Sequence, residues 1–218
     1  DTWYSDDNQV VNIITTNLES LKEFISKVKT LRWRIVKKWC KQFLVGLQLL
    51  HSHTPAIIHR HFNFSHIYID GGMGTTAIGD LWLAAFLERD SDGELQQMGL
   101  SENVAKLLTY MPPAYTAPES FEGNPLTTKV DIYCLGMCVL EMLASEEPYK
   151  ECGGSAAKLR SKVLAGLPPQ SLQRIQYHAA KDFITECLLP SAERPSAAEL
   201  AKHEFLLPSS EDDDEIVI

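Results

Sequence analysis

Residues Val130 to Leu143 read VDIYCLGMCVLEML and are apolar on nearly every side of a helix. A helix without a polar face has to be enclosed, so the rest of the chain must supply elements that surround it. Leu18, Leu21, Phe24, Ile25 and Val28 recur at helical spacing. From Arg32 to His51 a longer run sets Ile35, Val36, Trp39, Cys40, Phe43, Leu44, Leu47 and Leu50 on one broad stripe of about five turns. Ala179 to Leu189 and Ala197 to His203 form a closing helical pair. At 218 residues and 44% hydrophobic the chain can build one such core.

The strand signals are short. QVVNIITT (9–16) is β-branched and apolar, Trp3-Tyr4 suits a neighbouring strand, and between 57 and 86 the runs IIH, IYID and TTAIGD are broken by Gly71, Gly72 and Gly74 at a tight turn. The expected fold is therefore α+β: a mainly helical body with a short β-ribbon that displays polar groups on loops. The balance of 20 basic and 29 acidic residues gives a formal charge of −9, with the basic residues scattered, which excludes a phosphate-backbone footprint and hence nucleic acid as partner. Five cysteines without a CxxC pair point to a reduced setting, the cytoplasm or, as second choice, the nucleus. No stretch approaches the ~20 apolar residues of a membrane span, so a membrane association is not expected.

IIHRHFNFSHIYID (57–70), IGDLWLA (78–84), APE (117–119) and DIYCLG (131–136) resemble, in order and spacing, the HRDLxxxxN, DFG, APE and DxxxxG signature of protein kinases. KKWCKQFLVGLQLLHS, GMCVLEMLASEEPYKEC and ECLLPSAERPSAAEL resemble the With-No-Lysine kinases and the nuclear-receptor-binding-protein pseudokinases. The resemblance implies a kinase-like fold, with 1–16 as the last strands of the small lobe and the hinge and 17–207 as the large lobe; 208–218, charged and short of core residues, reads as an acidic disordered tail. The glycine-rich loop, strand lysine and αC glutamate of the family are not among these 218 residues.

The same resemblance carries structural roles to His59, Arg60, Glu119, Asp131, Gly136 and Arg194. Glu119 and Arg194 would pair as carboxylate and guanidinium, and Asp131 would hold the His59-Arg60 turn. Arg60 would bond to local backbone or a carboxylate, its other possible partner being a phosphorylated Ser101 in a segment whose Glu94–Leu108 stretch reads as loosely helical.

The catalytic positions are altered. His61 stands where the family has its proton-accepting aspartate, Asn63 where it has a phosphate-contacting lysine, His66 where it has a magnesium-binding asparagine, and Trp82 where it has the glycine after Asp80 and Leu81. A positioned base contributes roughly 10²- to 10⁴-fold in rate, and imidazole nitrogen is a poor ligand for magnesium. Asp80, at the retained magnesium-aspartate position, alternatively reads as a loop carboxylate capping backbone amides. Pro112 also replaces a substrate-holding threonine. On this basis no cofactor and no enzymatic activity are expected, with a protein-binding scaffold or allosteric role in their place. The alternatives are an atypical Ser/Thr kinase using ATP and magnesium, and a nucleotide sensor without catalysis. His59, His61, His66 and Asp80 together offer a zinc-like donor set, but a kinase-like fold would turn His59 into the core, so no metal is expected.

At the C-terminal end an acidic run precedes Glu215, Ile216, Val217 and Ile218. Such a pattern suits strand addition to a SUMO-like partner or capture of the terminal carboxylate.

Overall fold

The computed structural model describes residues 2–5, 10–13, 18–89, 95–96, 112–210, 212 and 214–217. Helices carry more of this length than strands do, as the spacing of apolar residues demands. Strands β1 (Thr2–Ser5) and β2 (Val10–Ile13) form an antiparallel hairpin. Next come β3 (Glu19–Ser20), helix α1 (Leu21–Lys27) and β4 (Thr30–Arg32). Helix α2 (Trp33–His51) buries Val36, Trp39, Cys40, Phe43, Leu44 and Leu47, so one stripe of the sequence becomes one face of the core.

Strand β5 (Ile57–Ile58) does not join the ribbon but pairs with β8 (Ala85–Phe86), while β6 (Ile67–Asp70) lies between β3 and β7 (Thr75–Ile78). The Gly71–Gly74 turn closes the β6–β7 hairpin, and Gly74 takes the positive φ of 60° that glycine accepts without strain. The outer strand β7 lies along α2, where the Gln42 side-chain oxygen accepts the amide and hydroxyl of Thr76 at 3.1 and 3.0 Å. Strand β9 (Glu88–Arg89) pairs with β10 (Leu95–Gln96). Leu95 and Gln96 are thus extended, against the helical reading of 94–108; the remainder of that stretch, Ser101 included, lies outside the described residues.

Beyond it follow α3 (Pro118–Glu122), α4 (Lys129–Ala144), α5 (Ala156–Leu164), α6 (His178–Cys187) and α7 (Ala197–Leu200). Helix α4 is buried almost throughout, as its missing polar face requires. Gly136 lets α6 cross it closely: a Cβ there would stand 2.5 Å from that of Cys187, which no side chain can accept. Edge-on aromatic pairs, Phe43–Phe62 at 5.9 Å and Trp33–Tyr177 at 4.7 Å, fix α2 against its neighbours. All five cysteines are free and buried, and no helix among the described residues is long and apolar enough to cross a membrane.

One expectation fails at the end of the chain. The acidic tail is not disordered along its described residues: strand β11 (Glu215–Val217) runs antiparallel to β4, with Ile216 opposite Leu31. The reason lies in α2, which starts at Arg32 without a side-chain cap and so leaves its first amides without helical partners. Trp33 and Arg34 donate theirs to the carbonyls of Asp214 and Asp212 at 3.2 and 2.9 Å.

Candidate active site

Asp131, fully buried in the first turn of α4, organises the loop that follows β5. Its carboxylate accepts the amides of His59 and Arg60 at 2.9 and 2.8 Å and faces His51 Nε2 at 2.9 Å. Burial pushes this carboxyl group upward, but the bond and charge of His51, the charge of His59 and the His59 amide outweigh it, leaving the pKa below the ordinary value. Anchored in this way, Arg60 keeps a left-handed backbone with φ of 64°. Its Nε donates to the Leu83 carbonyl, which ties the loop to the segment after β7.

These two backbone segments bring His61, His66, Tyr68, Asp80 and Trp82 together. Asp80 has φ of 55° and starts a 3₁₀ turn (Leu81–Leu83), yet its side chain makes no capping bond there. Instead its Oδ2 accepts from His66 Nδ1 at 2.6 Å and from the Tyr68 hydroxyl at 2.7 Å. Burial raises the Asp80 pKa, and the bonds from His66 and Tyr68 overcome it, holding the group below the usual carboxylate range. The same carboxylate pushes the Tyr68 hydroxyl up to about 12.

The His61 ring lies 4.0 Å from that of His66 and meets Trp82 edge-on at 5.5 Å. Burial, then the proximity of His66 and His59, lower the His61 pKa to about 4 against the opposing charge of Asp80, so the ring is neutral near pH 7. Its Nδ1 is buried with no hydrogen-bond partner. Trp82 covers this ring from outside and remains 54% exposed.

Asn63 serves the loop itself: its amide donates to the His61 carbonyl at 3.2 Å and its oxygen accepts the Ser65 amide at 2.9 Å. His59 Nε2 faces the Gly79 carbonyl at 2.8 Å and so points away from the cluster. The four-group donor set for zinc is therefore not assembled, and no group of three or more metal-binding side chains occurs among the described residues. On the opposite flank Arg194 grips Glu119 through two nitrogens at 2.7 and 3.3 Å, donates to the Lys129 carbonyl at 2.6 Å and stacks over Tyr133. Pro112 offers its carbonyl to the Tyr115 amide at 3.0 Å, an acceptor role for which no amide hydrogen is needed.

Tyr68 and His51 escaped the sequence reading. Strand alternation held the signal for Tyr68, because Ile67 and Ile69 are buried and their neighbours His66 and Tyr68 share the other face. His51 gave none, its partner being 80 residues away.

The protein kinase domain model matches residues 1–206. The chain is 38% identical over 213 residues to a probable serine/threonine-protein kinase WNK5 of Oryza sativa subsp. japonica, covering 97% of this chain and 61% of that protein. It is 36% identical to a probable serine/threonine-protein kinase WNK10 of Arabidopsis thaliana, across 94% of this chain and 36% of that protein. Serine/threonine-protein kinase pkpA of Phycomyces blakesleeanus is 36% identical across 94% of this chain and 31% of its own length. The chain thus spans from about a third to about three fifths of these relatives. Their names correct the expectation that a chain of this pattern is no enzyme: they are called serine/threonine-protein kinases. Altered loop residues were too narrow a basis for that expectation, since kinase catalysis is mostly positioning and electrostatics spread over many groups.

Proposed function

The chain belongs to the protein kinase domain family, and from that premise we propose an atypical serine/threonine kinase domain with attenuated ATP-dependent phosphotransfer, a large part of whose work is protein binding. One observation carries the reading. The loop is held in place by Asp131, while Asp80 Oδ2 is already engaged by His66 and Tyr68. Positioning is kept and charge neutralisation is weakened.

Neutral His61, with a pKa of about 4, matches a carboxylate in basicity and can accept a hydroxyl proton, but it brings no negative charge. For magnesium the residues fit poorly. Asp80 Oδ2 is already taken by two donors, and His66 offers only nitrogen. The family's two-ion arrangement does not fit here.

Protein binding is supported by an apolar groove between α2 and β7, lined by Val45, Gly46, Leu49, Ile78 and Leu81, with Val45 and Leu49 mostly exposed. The buried free thiols suit a reducing compartment, the cytoplasm or nucleus. Transfer of radiolabelled phosphate by the full-length protein tests the reading. Slow transfer abolished by Asp80→Ala supports it, and a rate equal to that of an ordinary kinase, or transfer indifferent to Asp80→Ala, sinks it.

A further inference from the structure

The C-terminal segment is bound in a formed socket. Lys37, on the first turns of α2, is 3% exposed, and its ammonium donates to the Leu207 carbonyl at 2.9 Å, to Ser209 Oγ at 2.8 Å and to Asp212 Oδ1 at 2.6 Å. All three ammonium hydrogens are used, and every acceptor comes from the tail. Ser209 in turn donates to the same Asp212 oxygen at 2.9 Å. The bond from Lys37, against a small opposing burial effect and with help from Ser209, holds the Asp212 carboxyl below its usual range.

Past this anchor the carbonyls of Asp212 and Asp214 take the first amides of α2, and Glu215–Val217 pair with Arg32–Thr30. The three features form a linear code: a carboxylate for a buried ammonium, backbone carbonyls for a positive helix end, then an extended stretch for a free strand edge. The basic start of the helix, Arg32, Arg34, Lys37 and Lys38, complements the acidic run.

We propose that β4 and the first turns of α2 form an exchangeable binding site for an acidic peptide running into β-branched residues, which the described residues of the C-terminal segment, among them Leu207, Ser209, Asp212 and Glu215–Val217, fill within the chain and a partner protein's segment of the same pattern fills in their place. The pairing is only three residues long, and the remaining described contacts are polar, so the tail belongs to the part of the structure that opens most easily. Emptied, the site would leave a buried ammonium without partners, which is costly, so opening is coupled to replacement by another carboxylate-bearing strand. The sequence pattern that suggested strand addition to a foreign sheet is here met by the chain's own edge, and the partner's segment is the mirror of that exchange.

The test uses the full chain and a fluorescein-labelled peptide of residues 207–218, followed by anisotropy. Asp212→Lys, which repels the tail from Lys37, is expected to bind the peptide at least tenfold more tightly than the unaltered chain. Adding Lys37→Met to that variant is expected to abolish the gain, and raised salt to weaken binding. Asp212→Asn repeats the comparison with a milder change if the lysine variant fails to keep its circular dichroism and melting temperature. Equal binding by the unaltered chain and by a folded Asp212 variant, or binding that survives Lys37→Met, overturns the proposal.

Discussion

Two polar clusters flank the catalytic-loop region, and they are built on opposite terms. Around Asp131 and Arg194 the buried charges meet matched partners: two amides and an imidazole for the carboxylate, a fork of two bonds and two carbonyls for the guanidinium. Around His61 a buried ring nitrogen has no partner, one carboxylate oxygen serves two donors, and a tryptophan lies half in water. The first cluster maintains the backbone, and the second leaves polar groups unmatched. Buried polar groups left unmatched in a folded protein call for an explanation.

The contrast can be broken most forcefully at Arg194. Arg194→Met leaves Glu119 buried and unpaired, and urea denaturation should record a loss of about 3–5 kcal/mol. Asp131→Ala strands the His59 and Arg60 amides and should cost about 2–4 kcal/mol by the same measurement.

The second cluster should respond to pH rather than collapse. Below pH 6.5 the unfolded chain takes up a proton that folded His61 refuses until about pH 4, so the folded state loses stability as pH falls through that window. The loss is expected to be about 1–2 kcal/mol, and His61→Phe should flatten it in denaturant titrations at pH 6.5 and 4.5. A slope unchanged by the substitution would assign it to other groups. Tyr68→Phe is the mildest change: it removes one of two donors to Asp80, costs about 0.5–1 kcal/mol, and should raise the Asp80 pKa in a carboxyl-resolved NMR titration.

Legibility follows the range of the interactions. The helices that hold the core announced themselves through apolar spacing, and the enclosed course of Val130–Leu143 was fixed by its lack of a polar side. The kinase resemblance implies that Glu119 faces Arg194 and that Asp131 holds the His59-Arg60 turn, and both contacts form. The capping reading of Asp80 fails. Amide capping is a common task of a loop aspartate, whereas here His66 and Tyr68, 14 and 12 residues back in the chain, are brought to it across the β6–β7 hairpin. The ordered tail escapes the sequence for a related reason: its composition looks solvated, and only the uncapped start of α2 and the buried ammonium of Lys37, both remote in sequence, convert those acids into ligands.

The bond between Gln42 and Thr76 bears on how the protein behaves at high concentration. A three-stranded sheet with an open flank invites a neighbouring molecule to add a strand, and such growth is the first step of aggregation. By occupying the outward amide of Thr76 with a side chain of α2, the chain seals the flank it would otherwise offer to its own copies.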